Sequence, residues 1–447
     1  MSKALALKLG LIGALLLVLL VPLGALRGLV LERQQRAAEV VEEIAASSSR
    51  EQTLLGPVLL VKGHRTIRLE QVVAELGATR TAVDLRHEPV QSLGLPARLE
   101  IDAELATERR GRGVFTALLY HGEQRIVARI EPPPPPAALP GQIDYRVEQA
   151  RLLLGLGDSR GVRGIEVEVN GRVLAVEPGM PGLADLREGL YVPLPAELLD
   201  GTPLDVVIAL DLSGIGRLAV APLGDETQVR IKSDWPHPGF SGAHLPIERD
   251  MGEKGFSARW QVSRLSSGAQ RAMQACLDGA GCAALGDTAL SVRLVEPVDR
   301  YLMTERALKY SLLLLVVVFG MVFFVEALRR VVVHPLQYGL TGLALAVFFL
   351  LLLALAEHVG FGWAYLAAAL ACNALIAVYM EAVLGGRRRG WAFAGLLGVL
   401  HGLLYLLLQS EDFALLLGAT GLFALLATVM LATRRLDWSQ VGRGSGR

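Results

Sequence analysis

The sequence predicts an α+β membrane protein, in which a six-helix transmembrane bundle carries a large, mostly antiparallel β domain. Three observations carry that reading. Five apolar runs, at 310–328, 340–356, 363–384, 391–408 and 413–432, each match the about 17–25 residues that a helix needs to cross a bilayer. A sixth, at 9–26, follows Lys3 and Lys8 and stops at Arg27. The long segment between them alternates apolar and polar positions with the period of a strand. Composition agrees: 52% of residues are hydrophobic and mean hydropathy is +0.43, too apolar for a soluble domain and too polar for spans alone.

The expected order is an anchor at 1–27, a β-rich domain at 28–308, a five-helix bundle at 309–436 and a disordered tail at 437–447. The first run is longer than a signal-peptide core and lacks a good cleavage site, so it reads as an uncleaved anchor. Arginines orient the rest. Arg329 and Arg330, then Arg387, Arg388 and Arg389, then Arg434 and Arg435 fall in alternate loops, whereas Glu357, Glu411 and Asp412 occupy the others. Basic loops stay in the cytoplasm. Both termini are therefore expected inside, and the β domain outside.

Residues 29–49 have a helical pattern, with Glu32 and Arg36 four apart; a helix packing on its own domain and a partner-binding stalk both fit. Strands begin near Pro57. Runs 114–120 and 124–130, separated by His121-Gly122-Glu123, read as a hairpin. A second hairpin turns at Asn170-Gly171, a pair suited to positive φ angles. Leu204, Val206, Ile208, Leu210 and Leu212 alternate along what reads as the longest strand, and 218–221 and 228–232 continue the pattern. Helices do not alternate with these strands, so a sandwich fits better than an α/β plan. Prolines 132–136 break the pattern, either as an extended spacer between two lobes or as a plain surface loop.

Cys276 and Cys282 are the only cysteines of the exported part, and a disulfide closing that short loop is expected in an oxidising compartment. Cys372 lies in a span. No nucleophile elbow, phosphate-binding loop or zinc helix is present, so no catalytic residue and no cofactor is expected. The loop from Gly155 to Gly161 has the wrong spacing for a dinucleotide and reads as a turn. Glu357-His358 offers two ligands at a helix end, too few for a metal. Formal charge is zero, with 44 basic and 44 acidic residues, and no basic tract lies on the β domain; nucleic acid is not an expected partner. Membrane lipid is.

Within the spans, Asn373 and His401 sit near mid-membrane. His401, Tyr405 and Gln409 share a helix face beside Ala394, Gly398 and Gly402, which favours helix packing over an ion path. In the β domain, Trp235, Pro236, His237, Pro238 and Phe240 form a restricted segment in which an aromatic before proline favours a cis bond. It reads as either a recognition loop or a rigid corner.

Several motifs together resemble the CreD inner-membrane protein family. They are Ser233-Asp234-Trp235-Pro236-His237-Pro238-Gly239-Phe240-Ser241-Gly242 and Gly255-Phe256-Ser257-Ala258-Arg259-Trp260, then Glu296-Pro297-Val298-Asp299-Arg300-Tyr301 and His334-Pro335-Leu336-Gln337-Tyr338-Gly339. Ala356-Glu357-His358-Val359-Gly360-Phe361 and, near the start, Gln52-Thr53-Leu54 and Gly56-Pro57-Val58-Leu59 extend the likeness. Ser48-Ser49 departs from the Trp-Gly usual there. The resemblance implies a multi-pass protein of the bacterial inner membrane with a periplasmic domain. It also implies a non-enzymatic part in envelope integrity, antibiotic response and colicin tolerance, with an unidentified periplasmic or cell-wall partner. A transporter or lipid-handling protein using Asn373 and His401 is the alternative.

Overall fold

The computed structural model describes residues 3–75, 78–183, 185–186, 188–199, 201–296, 299–329, 332–410 and 414–434. Arg330, Glu411, Asp412, Arg435 and the expected tail lie outside the described residues. The chain divides into two compact units, one of 1–38 with 298–447 and the other of 39–297.

Helix α1 (Lys3–Ser47) is one uninterrupted element of 45 residues. The anchor and the helical pattern after it are therefore continuous, and Pro22 lies within the helix, as is tolerated in apolar spans where neighbouring groups meet the freed carbonyl.

Among the described residues of the β unit sixteen strands follow: β1 (Gln52–Glu75), β2 (Ala78–Gly94), β3 (Pro96–Arg112), β4 (Phe115–Ile130), β5 (Gln142–Gly155), β6 (Val162–Val169), β7 (Arg172–Leu174), β8 (Glu177–Pro178), β9 (Gly189–Leu194), β10 (Leu204–Ile215), β11 (Arg217–Ala221), β12 (Glu226–Ser233), β13 (Pro238–Gly242), β14 (Glu248–Gly252), β15 (Gly255–Ser263) and β16 (Leu290–Leu294). They form two sheets. One runs β13-β16-β11-β1-β5-β9-β8 with β2 also on β1, and the other β14-β15-β12-β3-β4-β10-β6-β7. Pairing is antiparallel except for β1 with β11 and β3 with β12, so the sheets are mixed.

The inner faces share one core. Leu54, Leu59 and Leu152 from the first sheet meet Ile101, Ile126 and Trp260 from the second. The alternation along β10 is the one the sequence shows, with Leu204, Val206, Ile208, Leu210 and Leu212 all buried. Each such side chain contributes about 1.5–3 kcal/mol by leaving water.

Several expectations need correction. β1, at 24 residues, is the longest strand; β10 has 12. His121-Gly122-Glu123 is no turn, because β4 runs straight through it. The hairpin reverses earlier, where Arg112 pairs with Phe115 and Gly113 takes φ +65°. Gly122 serves close approach instead: a Cβ there would stand 1.8 Å from the Glu104 carbonyl oxygen. Prolines 132–136 separate no lobes, since they lie inside the single β unit and lead from β4 in one sheet to β5 in the other. The Asn170-Gly171 turn forms as expected, with φ of 49° and 78°.

After three short helices, α2 (Arg264–Ser267), α3 (Ala269–Leu277) and α4 (Ala283–Thr288), the chain enters the second part of the helical unit. There α5 (Arg300–Lys309) bends by 45° into α6 (Ser311–Arg329). Helices α7 (Pro335–Val359), α8 (Phe361–Val383), α9 (Arg387–Gln409) and α10 (Ala414–Thr433) follow. His334 caps α7 in a reciprocal box with Gln337, with Pro335 at the first helical position. Among the described residues, four helices are long and apolar enough to span a membrane, or five if α5 and α6 form one span.

Candidate functional site

Three polar places interrupt these apolar units. The first is the crossover from β12 to β13. Trp235 is buried, with its indole N–H donated to the Val295 carbonyl at 2.9 Å and the Arg109 guanidinium 5.3 Å from its ring. The Val295 N–H returns a bond to the His237 carbonyl at 3.0 Å. Phe240 packs edge-on against Phe256 and Trp260, at 5.9 and 5.7 Å. Pro236 and Pro238 are half-buried and His237 is exposed. The segment is thus a pinned corner between sheets, presenting an imidazole. Neither proline follows a cis bond; among the described residues the cis peptide is Gly56–Pro57.

Beside that corner an open groove of about 720 Å³ crosses the middle of β3 and β4, the end of β12 and the β14–β15 turn. Glu104, Glu123, Asp234, Asp250, Lys232 and Lys254 are among its lining residues. Asp234 accepts the Thr107 N–H at 3.0 Å, and Lys232 lies 3.6 Å from Glu104. Its size is that of a ligand site, but its walls are charged where small-molecule pockets are mostly apolar. Such a surface suits a polar partner carrying charges of both signs. The sequence offered no signal for it, because the residues come from four separate stretches.

The second place is a buried knot where α1 enters β1. Gln52 is fully buried; its amide N–H groups reach the carbonyls of Asp158 and Ser213 at 2.9 and 3.0 Å, and its oxygen accepts the Asp158 N–H at 3.1 Å. Asp158 accepts from the Arg50 and Arg160 N–H groups and from the Arg160 side chain. Burial pushes the Asp158 carboxyl up, and these bonds more than offset it, holding the group below its ordinary range. The loop read as a turn is therefore one, but it is also the anchor of Gln52. Tyr120, raised by burial, donates to the Arg217 carbonyl at 2.9 Å nearby.

The third lies inside the helical unit. His401 is 2% exposed, with Nδ1 3.1 Å from the Leu397 carbonyl. A carbonyl only accepts, so Nδ1 carries the proton and Nε2 a lone pair. That Nε2 has no partner among the described residues, and neither has Asn373 Oδ1. Phe348 and Tyr365 ring the imidazole at 4.7 and 6.5 Å, and Tyr365 donates to the His401 carbonyl at 2.7 Å. Gly398 faces the Asn373 amide, 3.6 Å from where a Cβ would stand. Gln409 donates to the Tyr405 hydroxyl at 2.6 Å. At the ends of this unit, Lys8 pairs with Glu326, which also accepts from Tyr338, and Arg33 pairs with Glu357, which accepts from Tyr301. Glu357 is thus engaged in a charged network, while no group of three metal-ligating side chains occurs among the described residues. Cys276 and Cys282 form a disulfide, and Cys372 is a buried free thiol.

Apolar helices of spanning length and a separate β-sandwich unit define a membrane protein of α+β class. The family described as Inner membrane protein CreD matches residues 4–439. The chain is 34% identical over 440 residues to Inner membrane protein CreD of Escherichia coli (strain K12), covering 96% of this chain and 92% of that one. It belongs to the CreD family, as its motifs indicated. A solved mutant M1 zinc metallopeptidase from Deinococcus radiodurans, bound to a Tyr-Ser-Ala substrate, overlaps 45% of this chain and 42% of its own. That overlap has 12% identity and a TM-score of 0.22, too low to transfer anything.

Proposed function

We propose that this protein maintains the cell envelope without catalysing a reaction, holding a periplasmic β-sandwich on an inner-membrane bundle to recognise an envelope partner. Six spans place both termini in the cytoplasm. Two ion pairs support that orientation. Lys8, early in α1, meets Glu326, late in α6, so the start of α1 and the end of α6 at Arg329 share a side. Arg33, about 37 Å further along α1 at 1.5 Å per residue, meets Glu357 at the end of α7, which fits the opposite side of a core about 30 Å thick.

The observation that carries the recognition role is the charged groove beside the pinned corner, which displays His237 on a rigid base. By family resemblance the benefit is tolerance of envelope stress, antibiotics and colicins. The test is to measure sensitivity to detergent and β-lactam in cells carrying His237→Ala together with Lys254→Glu. Sensitivity rising to that of cells lacking the protein, at unchanged membrane level, supports the reading, and full protection refutes it.

A second reading, transport or lipid handling, draws on the unpartnered acceptors of His401 and Asn373. His401→Leu removes one of them. Full protection by that variant counts against this use of the bundle.

A further inference from the structure

The β1–β2 hairpin continues past the sheet that supports it. β5 accompanies β1 only as far as Ile67, which pairs with Gln142. Arg68 still donates its N–H to the Gly141 carbonyl at 2.8 Å; past it, among the described residues, the β1 ladder continues with β2, down to Glu75 opposite Ala78. A free two-stranded ribbon is marginally stable in water and has edges open to another strand.

The outer edge of β2 is readable residue by residue. Pro89 has no N–H, so within the β1–β2 ladder it occupies a position that does not donate to β1. Its odd-numbered neighbours share that phase, so Leu85, Val83 and His87 turn their N–H and C=O groups outward. Val83 and Leu85 are 49% and 51% exposed. The even-numbered residues bond to β1. Among them, Glu88 is held by Arg65 at 2.9 Å, whereas Arg86 is 66% exposed and only 3.4 Å from Glu88 at its nearest.

We infer that this edge is a self-association surface, on which β2 of a second copy pairs antiparallel about a two-fold axis at Leu85. Outward groups must face outward groups, so the axis passes through a residue, and centring on Asp84 or Arg86 sets that charge against its own copy. Centring on Leu85 sets Asp84 of each chain opposite Arg86 of the other, giving two opposite-charge pairs. It also sets Leu85 against Leu85 and Val83 against His87, on one face. Centring on Val83 deprives Asp84 of a basic partner, and centring on His87 sets Pro89, which has no donor, against Leu85. The result is a four-stranded sheet from two ribbons, each too narrow alone.

The test uses full-length protein in native membranes with single cysteines added to β2. Residues that exchange both hydrogen bonds across an antiparallel pair stand about 5.5 Å apart at Cα, inside the span a disulfide bridges. Leu85→Cys should therefore yield a disulfide-linked dimer. Val83→Cys and His87→Cys should each stay monomeric alone and cross-link when co-expressed. Asp84→Arg should lower Leu85→Cys dimer by about threefold or more, and adding Arg86→Asp should restore it. No dimer from Leu85→Cys, equal cross-linking at all three positions, or capture of a different protein at Leu85 would each overturn the inference.

Discussion

Replacing Gln52 by leucine tests the buried knot at the start of β1. The change keeps the volume and deletes three hydrogen bonds, one of which is the bond that satisfies the Asp158 N–H; the Asp158 carbonyl keeps the Gly161 N–H at 3.2 Å. Gln52 is fully buried and Asp158 is 5% exposed, so water cannot replace the amide. A stranded main-chain N–H costs about 1–3 kcal/mol. For a unit this size, about 2–4 °C per kcal/mol converts that to a fall near ~5 °C. The assay is thermal unfolding of the full-length protein in detergent, with hydrogen exchange of the Asp158 amide followed in parallel. Tm should fall by several degrees, with loss of protection at that amide. A fall below about 2 °C, with the amide still protected, refutes it.

Three further outcomes are expected. Gly122→Ala should destabilise by about 2 kcal/mol or more, because its Cβ would meet the Glu104 carbonyl oxygen at 1.8 Å. Gly252→Ala, with open space around it, should cost less than about 1 kcal/mol in the same melt. Asp158 has its folded carboxyl pKa below the unfolded value, so its contribution is complete above the ordinary carboxylate range and fades as pH falls through the lowered value. Acid titration of stability should therefore steepen below about pH 4, and Asp158→Asn should flatten that limb. In the bundle, Glu326→Gln removes the charge that neutralises Lys8 and should lower detergent stability, whereas Lys8→Met with Glu326→Leu should recover much of it. A double-mutant cycle with no coupling between the two positions would remove the pair from the account.

Legibility from sequence followed the physics of each element. The long apolar helices, the Asn170-Gly171 turn and the buried alternation of β10 depend on local periodicity and backbone chemistry, so they could be read directly. Gly122 could not. A glycine flanked by polar residues signals a turn by composition, but here it lets β4 approach the Glu104 carbonyl, a non-local constraint. Gln52 and Asp158 are 106 positions apart, and no spacing joins them. The groove draws on five strands for the same reason. His401 and Asn373 were visible as polar residues in apolar helices, yet that their lone pairs are unpartnered depends on which helices pack together. Trp235 was legible as a restricted aromatic; its bond to Val295, 60 residues away, was not.

Orientation in the bilayer underlies every functional statement, and one pair of reporter fusions tests it. An enzyme active only after export is inserted at Gly171, in the β6–β7 turn, and in a second protein at Gly386, just before α9. The account predicts activity at Gly171 and silence at Gly386. Activity at Gly386 with silence at Gly171 would contradict it.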